Sequence, residues 1–256
     1  MAKVLEHKTA LVTGGSRGLG RGMSERLAAS GALVAVNYAE NERAAVETVA
    51  AIEGQGGQAF AVQAKLGAPG ANEALVEAVT AEFRRRTGQG GLDILVNNIG
   101  GGDYGTVSSV TPEQYDQTFA NNVRSPFFLT QALLPHLNDG GRVINISSAA
   151  SRLAGVDFIV YSMSKAALDM FTKVLAKDLG PARRITVNSV LPGFNETEAN
   201  EHLSQDAEAR GQIEQMTALG RFGMPSDIAG VVHFLASPDG GWVTGQVIEA
   251  SGGFRM

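Results

Sequence analysis

The chain has no cysteine, only one tryptophan and no excess of basic residues. Without cysteine there is no disulfide, no thiolate nucleophile and no zinc–thiolate centre. Lysine and arginine number 21 against 26 aspartates and glutamates, a formal charge of −5, so the electrostatic footprint of a nucleic-acid binder is missing. No segment approaches the roughly 18 uninterrupted apolar residues that would suggest a membrane span. The opening Met-Ala-Lys-Val-Leu-Glu-His-Lys lacks the apolar stretch of a signal peptide. The four histidines, His7, His136, His202 and His233, are scattered without ligand spacing, and no metal site is expected. These absences predict a cytoplasmic globular protein that engages neither membrane nor nucleic acid. What is abundant is glycine, with 32 residues, and apolar residues at 44%, enough for a sizeable core with many tight turns or close backbone approaches.

Short apolar runs alternate with longer amphipathic stretches. Strands are predicted at Thr9–Thr13, Ala32–Tyr38, Ala59–Ala64, Leu92–Asn97, Arg142–Ser147, Ile185–Leu191 and Gln246–Glu249. Helices are predicted at Gly18–Ser30, Glu40–Glu53, Ala71–Arg86, Thr111–Leu137, Tyr161–Leu179 and Ser226–Leu235. The stretch Phe194–Leu219 is polar, weakly periodic and longer than most ordered connections. Buried strands alternating with helices predict an α/β fold: a single-domain, doubly wound parallel β-sheet flanked by helices on both faces, the Rossmann arrangement. Ligands on such sheets bind beyond the carboxyl ends of the strands.

The chemistry-bearing residues follow strands. Thr13-Gly14-Gly15-Ser16-Arg17-Gly18-Leu19-Gly20 comes directly after the first strand, and its glycines let the backbone approach a pyrophosphate at a helix N-terminus. After the second strand stands Asn37-Tyr38, where an NAD site would place a carboxylate for the ribose 2′-hydroxyl. With that acid absent and Arg17 in the phosphate turn, NADP(H) is preferred over NAD(H). Asn97-Asn98-Ile99-Gly100 ends the fourth strand. Asn121-Asn122 interrupts a helical stretch with poor helix formers, predicting a kink or a polar site. Ser147-Ser148 ends the fifth strand. Tyr161 and Lys165 stand four apart on a predicted helix, so phenol and ammonium share a face. The cation there would favour the phenolate and lower the tyrosine pKa.

These motifs resemble, over essentially the whole chain, the short-chain dehydrogenase/reductase family. The matching elements are Thr13-Gly14-x-x-x-Gly18-x-Gly20, Asn97-Asn98-x-Gly100, Asn122, Ser148, Tyr161-x-x-x-Lys165 and Pro192-Gly193-x-x-x-Thr197. The resemblance implies a catalytic tetrad of Asn122, Ser148, Tyr161 and Lys165. It implies cofactor contacts from Gly14, Ser16, Arg17, Gly18, Leu19 and Gly20, from Asn37, Tyr38, Asn98, Gly100, Tyr161 and Lys165, and from Pro192, Gly193 and Thr197. In that scheme Tyr161 protonates a carbonyl oxygen that Ser148 also binds, Lys165 holds the nicotinamide ribose, and Asn122 positions a water beside Lys165. Three departures stand out: Lys65-Leu66 where an aspartate is common, Ile99 for alanine, and Asn195 for an aliphatic residue. Residues 194–219 would form a substrate lid. The expected partner is a free cyclic or aromatic ketone, with an acyl-carrier-protein-linked ketone or a sugar as alternatives and a non-catalytic NADP sensor as the rival class. The missing arginine at Phe128 weighs against a carrier protein, although Arg183-Arg184 offers basic charge. Phe127, Phe128, Leu133, Leu134, Leu168, Phe171 and Leu175 carry more apolar surface than one sheet face needs, and the resemblance implies that their helices pair between subunits in a homotetramer.

Overall fold

Seven parallel strands lie side by side: Thr9–Val12 (β1), Leu33–Tyr38 (β2), Gln58–Gln63 (β3), Leu92–Asn97 (β4), Leu137–Ile146 (β5), Thr186–Pro192 (β6) and Val247–Ala250 (β7). Their spatial order is β3-β2-β1-β4-β5-β6-β7, so the winding reverses between β1 and β4 and leaves a crevice at their carboxyl ends. The computed structural model describes residues 3–68 and 70–255. The central strands read as continuous apolar runs because both faces are covered: all six residues of β2 are buried.

On one face, Met23 and Leu27 of Gly18–Ala29 (α1), Ile52 of Glu42–Gly54 (α2), and Val232 and Leu235 of the late helix Pro225–Ala236 pack over the strands. On the other, Val79 and Phe83 of Ala71–Thr87 (α3), Leu129 and Leu133 of Ser125–Leu133, and Leu175 and Leu179 of Ile159–Arg183 do so. This is the predicted single-domain, doubly wound α/β arrangement.

The predicted helix Thr111–Leu137 is not continuous. Pro112–Phe119 (α4) opens with a capping box between Thr111 and Gln114. It then widens through a π-type turn at Ala120–Arg124 before Ser125–Leu133 (α5) resumes. Pro126 has no N–H to return to the carbonyl one turn back, and a widened turn accommodates the missing bond. The predicted kink at Asn121-Asn122 therefore falls where the widening occurs. Pro135 ends α5 early, and the chain already enters β5 at Leu137.

Ile159–Arg183 (α6) runs beyond the predicted Leu179 despite Pro181, which costs one bond in the last turn. Arg184 closes α6 in the left-handed region at φ 53°, donating its N–H to Gly180 O. The stretch 194–219 is more ordered than predicted: it holds Glu201–Ser204 (α7) and Ala207–Gln215 (α8), and Asp206 caps the latter through the N–H groups of Glu208 and Ala209. Pro225–Ala236 is α9.

Candidate functional site

The turn after β1 is held open by side chains from its neighbours. Thr13 Oγ1 accepts from the N–H groups of Asn98 and Ile99 at 2.9 and 3.1 Å, tying the ends of β1 and β4. Asn98 Nδ2 donates to Thr13 O at 2.9 Å and Gly14 O at 3.2 Å. Gly14 and Gly18 take φ of +58° and +49°, where side chains are strained. A Cβ on Gly20 would press on Gly14 O and sit 2.8 Å from Asn98 Nδ2. Arg17, at the N-cap of α1, offers no side-chain cap, and the first turn carries no acid. The N–H groups there remain available for an anionic ligand.

From this turn a cleft of about 1050 Å³ runs along the carboxyl ends of the strands. Ser16, Arg17, Leu19 and Tyr38 border one part, with Asn98, Gly100, Ser148, Tyr161 and Lys165 further along. Pro192, Gly193 and Thr197 complete it, as do Gly14, Gly18 and Gly20. Of the sequence-predicted site residues, two do not line it. Asn37 is fully buried: its Oδ1 accepts from Gly14 N at 3.3 Å, and its Nδ2 donates to Val62 O at 3.3 Å and Ala64 O at 3.2 Å. It braces the turn against β3 instead of facing the cleft, while its neighbour Tyr38 does face it. Asn122 lies behind the wall, accepting from Gly101 N at 2.9 Å and donating to Gly101 O and to Ser164 Oγ, both at 2.8 Å. The widened turn Ala120–Arg124, at the site where sequence predicted a kink or a polar site, is what carries this side chain.

Tyr161 and Lys165 stand one turn apart on α6, and Ser148 follows β5 with its Oγ accepting from Ala150 N at 3.2 Å. Lys165 is 2% exposed and donates to Ile146 O at 2.9 Å. A Cβ on Gly100 would come within 2.6 Å of Lys165 Nζ and 2.8 Å of Asn122 Oδ1, so both groups converge on that glycine. Burial draws the Lys165 ammonium down to about 8, opposed by the Asp169 carboxylate one turn further along. Asp169 itself accepts from Ser189 Oγ of β6 at 2.8 Å.

The phenol departs from the sequence expectation. Burial raises the Tyr161 pKa, a hydrogen bond with Ser148 opposes the rise, and the Lys165 ammonium lies 5.7 Å from the ring centre. The lysine is engaged with the Ile146 carbonyl and does not offset the loss of solvent around the phenol.

The departures from the family pattern have distinct surroundings. Lys65 pairs with Glu40 at 2.7 Å on the exposed rim. Ile99 packs close to Gly14. Asn195 is buried and donates to Gly193 O at 2.8 Å, holding the segment after β6.

Beyond the catalytic candidates the cleft is walled by apolar and aromatic side chains that sequence reasoning did not assemble: Tyr104, Leu153, Phe158 and Phe254. Tyr104 and Phe158 meet edge to face at 5.4 Å, and Phe254 packs against Phe194 at 5.2 Å. Ile213 and Met216, on and just after α8, join Phe194, Phe222 and Phe254 in a separate apolar cluster. No local periodicity marks residues drawn from four loops and the C-terminal segment.

The cradle suits a pyrophosphate-bearing dinucleotide, because the glycines let the turn fold tightly over the α1 terminus, whose N–H groups no side chain caps. Gly20→Ala is expected to weaken NADPH binding by more than tenfold and lower the Tm. Calorimetric titration and a thermal melt check this, and unchanged affinity would contradict the cradle reading.

The family model described as enoyl-(acyl carrier protein) reductase matches residues 14–255. An uncharacterised oxidoreductase of Methylorubrum extorquens is 44% identical, with 98% of this chain and 99% of that protein aligned. Tetrahydroxynaphthalene reductase of Pyricularia oryzae is 40% identical over 98% of this chain and 91% of its own length. Among solved structures, the angucycline C-6 ketoreductase LanV with bound NADP is 46% identical, with TM-score 0.94, over 100% of this chain and 98% of that one.

Proposed function

Since the chain belongs to the short-chain dehydrogenase/reductase family, we propose that it reduces a free cyclic or aromatic, polyketide-like ketone. It is an NADP(H)-dependent oxidoreductase. The observation that carries the reading is one cleft bearing the glycine turn together with the hydroxyls of Ser148 and Tyr161 beside a buried Lys165.

NADPH, when bound, supplies the hydride. Tyr161 gives its phenolic proton to the carbonyl oxygen as negative charge develops there. Ser148 donates a hydrogen bond to the same oxygen and fixes its direction. Lys165, from its seat on Ile146 O, holds the nicotinamide ribose and is the proton source nearest Tyr161 on α6. Asn122 positions Lys165 from behind Gly100. The amides of Gly14 to Gly20, with Ser16, Arg17, Leu19 and Tyr38, hold the phosphate end. Asn98, Gly100, Pro192, Gly193 and Thr197 hold the remainder.

Three observations support the substrate class. The walls at Tyr104, Leu153, Phe158 and Phe254 suit a flat ring system. The tetrahydroxynaphthalene reductase and the angucycline ketoreductase are named for fused-ring substrates. Of Arg183-Arg184, the nearby basic pair that could have favoured a carrier protein, Arg183 is committed to Asp139 at 3.0 Å and to Leu134 O.

In the same reading residues 194–219 act as a lid, with Leu203, Ile213 and Met216 turned toward the apolar cluster beneath it. Exposed Phe127 and Phe128 on α5 and Met163, Met170 and Val174 on α6 support a homotetramer. No helix among the described residues is long and apolar enough to cross a membrane, which accords with a cytoplasmic site of action.

The test is NADPH oxidation against cyclic ketones, aromatic polyketide-like ketones and β-ketoacyl thioesters, with NADH as control. The expected result is kcat/KM at least tenfold higher for ring ketones than for thioesters, and for NADPH over NADH. Activity confined to thioesters would turn the reading to a carrier-protein reductase. Tight NADPH binding without turnover on any carbonyl would turn it to a sensor.

A further inference from the structure

The cleft contains several charged groups, and all but a few are already committed. Arg17 is paired with Glu198 at 2.8 Å and Glu40 with Lys65 at 2.7 Å. Arg255 also lines the cleft, is exposed, and has no carboxylate partner among the described residues. Its position is nevertheless fixed. Its N–H donates to Met216 O at 2.8 Å, its Nε lies 3.4 Å from Met216 Sδ, and its guanidinium stacks 5.5 Å from the centre of the Phe254 ring. The backbone there takes the left-handed φ of 51°, which an arginine adopts only when its surroundings hold it.

The segment that carries Arg255 runs over the catalytic end of the cleft. A Cβ on Gly193 would meet the backbone of Ser251 at 2.9 to 3.0 Å, so residues 251–255 pass directly against the turn after β6. Phe254 then packs on Phe194, and Ala218 and Leu219 donate to Gly253 O and Gly252 O. The backbone of Arg255 is thus tied to the lid through Met216 O, and its guanidinium rests on Met216 Sδ and the Phe254 ring where both border the cleft. A planar fork of donors without an acidic partner is suited to receive one from outside. Among the described residues, the other charged side chains on the cleft without an ion pair are Lys165, already seated on Ile146 O, and Asp103, on the loop after β4; the imidazole of His202 on α7 also borders it.

We propose that Arg255 is a specificity-determining residue that receives an acidic oxygen of the substrate, a carboxylate or an ionised phenol borne by the ring ketone. This rests on the ketoreductase reading above and narrows its substrate class. The acidic group and the reacting carbonyl sit at separate points of one rigid ring system, so the contact sets which carbonyl is presented to Tyr161.

The experiment compares 1-tetralone, 6-hydroxy-1-tetralone and 6-carboxy-1-tetralone with wild-type enzyme, Arg255→Gln and Arg255→Lys, at a pH where the hydroxyl is ionised. In the wild type, KM for at least one acidic ketone should be about tenfold below that of 1-tetralone, the scale of one charge-assisted contact near solvent. Arg255→Gln should collapse that ratio towards one, Arg255→Lys should keep part of it, and rising salt should erode it. Which acidic ketone shows the preference separates carboxylate from phenolate recognition. A wild type without preference overturns the proposal, as does Arg255→Gln acting equally on all three ketones, which would mark a purely structural role. If no ketone turns over, the ketoreductase reading fails. Titration of the carboxylated ketone into the NADP complex of wild type and Arg255→Gln then still decides whether Arg255 binds it.

Discussion

Tyr161→Phe is expected to lower kcat by about two to four orders of magnitude, the usual contribution of a positioned general acid. NADPH affinity should move less than about threefold, because the ring that shapes the cleft remains. The argument turns on the protonation state of the phenol. A proton donor in carbonyl reduction must hold its proton until charge builds on the substrate oxygen. Burial keeps the Tyr161 pKa above that of a free tyrosine, so the phenol is protonated throughout the neutral range. Ser148, whose interaction with the phenol works against that rise, is the second hydroxyl that the proposed mechanism brings to the carbonyl oxygen. Single-turnover kinetics with a ring ketone, beside a separate NADPH titration, measures both quantities. Turnover retained at more than a tenth of wild type would remove Tyr161 from the proton-transfer role.

The sheet was legible because its central strands are largely buried on both faces and read as apolar runs: Leu92–Asn97, with its Ile94–Val96 core, was read residue for residue. The glycine turn was legible because glycine spacing reports backbone need directly. What sequence could not supply was the direction of side chains. Asn37 and Tyr38 are adjacent on β2, and strand alternation sends one into the body of the sheet's end and the other into the cleft. Reading the position alone assigned both to the cofactor. The break in the helix after Thr111 was half visible: Asn121-Asn122 predicted a disturbance, but Pro126 and Pro135 are what divide and end the helix. The apolar wall was hidden because Tyr104, the pair Leu153 and Phe158, and Phe254 come from the loop after β4, the loop after β5 and the C-terminal segment, and converge only in the folded chain. Arg255 was overlooked for the same reason: its meaning depends on Met216 and Phe254 holding it at the cleft.

Lys165→Met is expected to abolish most turnover and, in the cofactor-free protein at pH 7, to raise the melting temperature. The two effects have one cause. Lys165 is an ammonium almost wholly withdrawn from water, and burial lowers its pKa from 10.5 to about 8. Between those values the unfolded chain binds the proton more readily than the folded one, so stability rises with pH across that window. Below about pH 8 the full cost is present, on the order of 3 kcal/mol for such a shift. Methionine fills the same space without a charge but gives up the bond to Ile146 O, worth about 1 to 2 kcal/mol. The net gain should be about 1 to 2 kcal/mol, or a few degrees in a chain of this size. Melts of both proteins at pH 7 and at pH 9.5 to 10 test the sign: the advantage of the methionine variant should shrink at the higher pH, as the wild-type lysine sheds its proton. A variant less stable than wild type by the same margin at every pH would show that the lysine is there for packing. The predicted pattern instead marks Lys165 as a charge that the fold tolerates at a cost, kept in place by Asp169 and the Ile146 carbonyl because the chemistry at Tyr161 needs it.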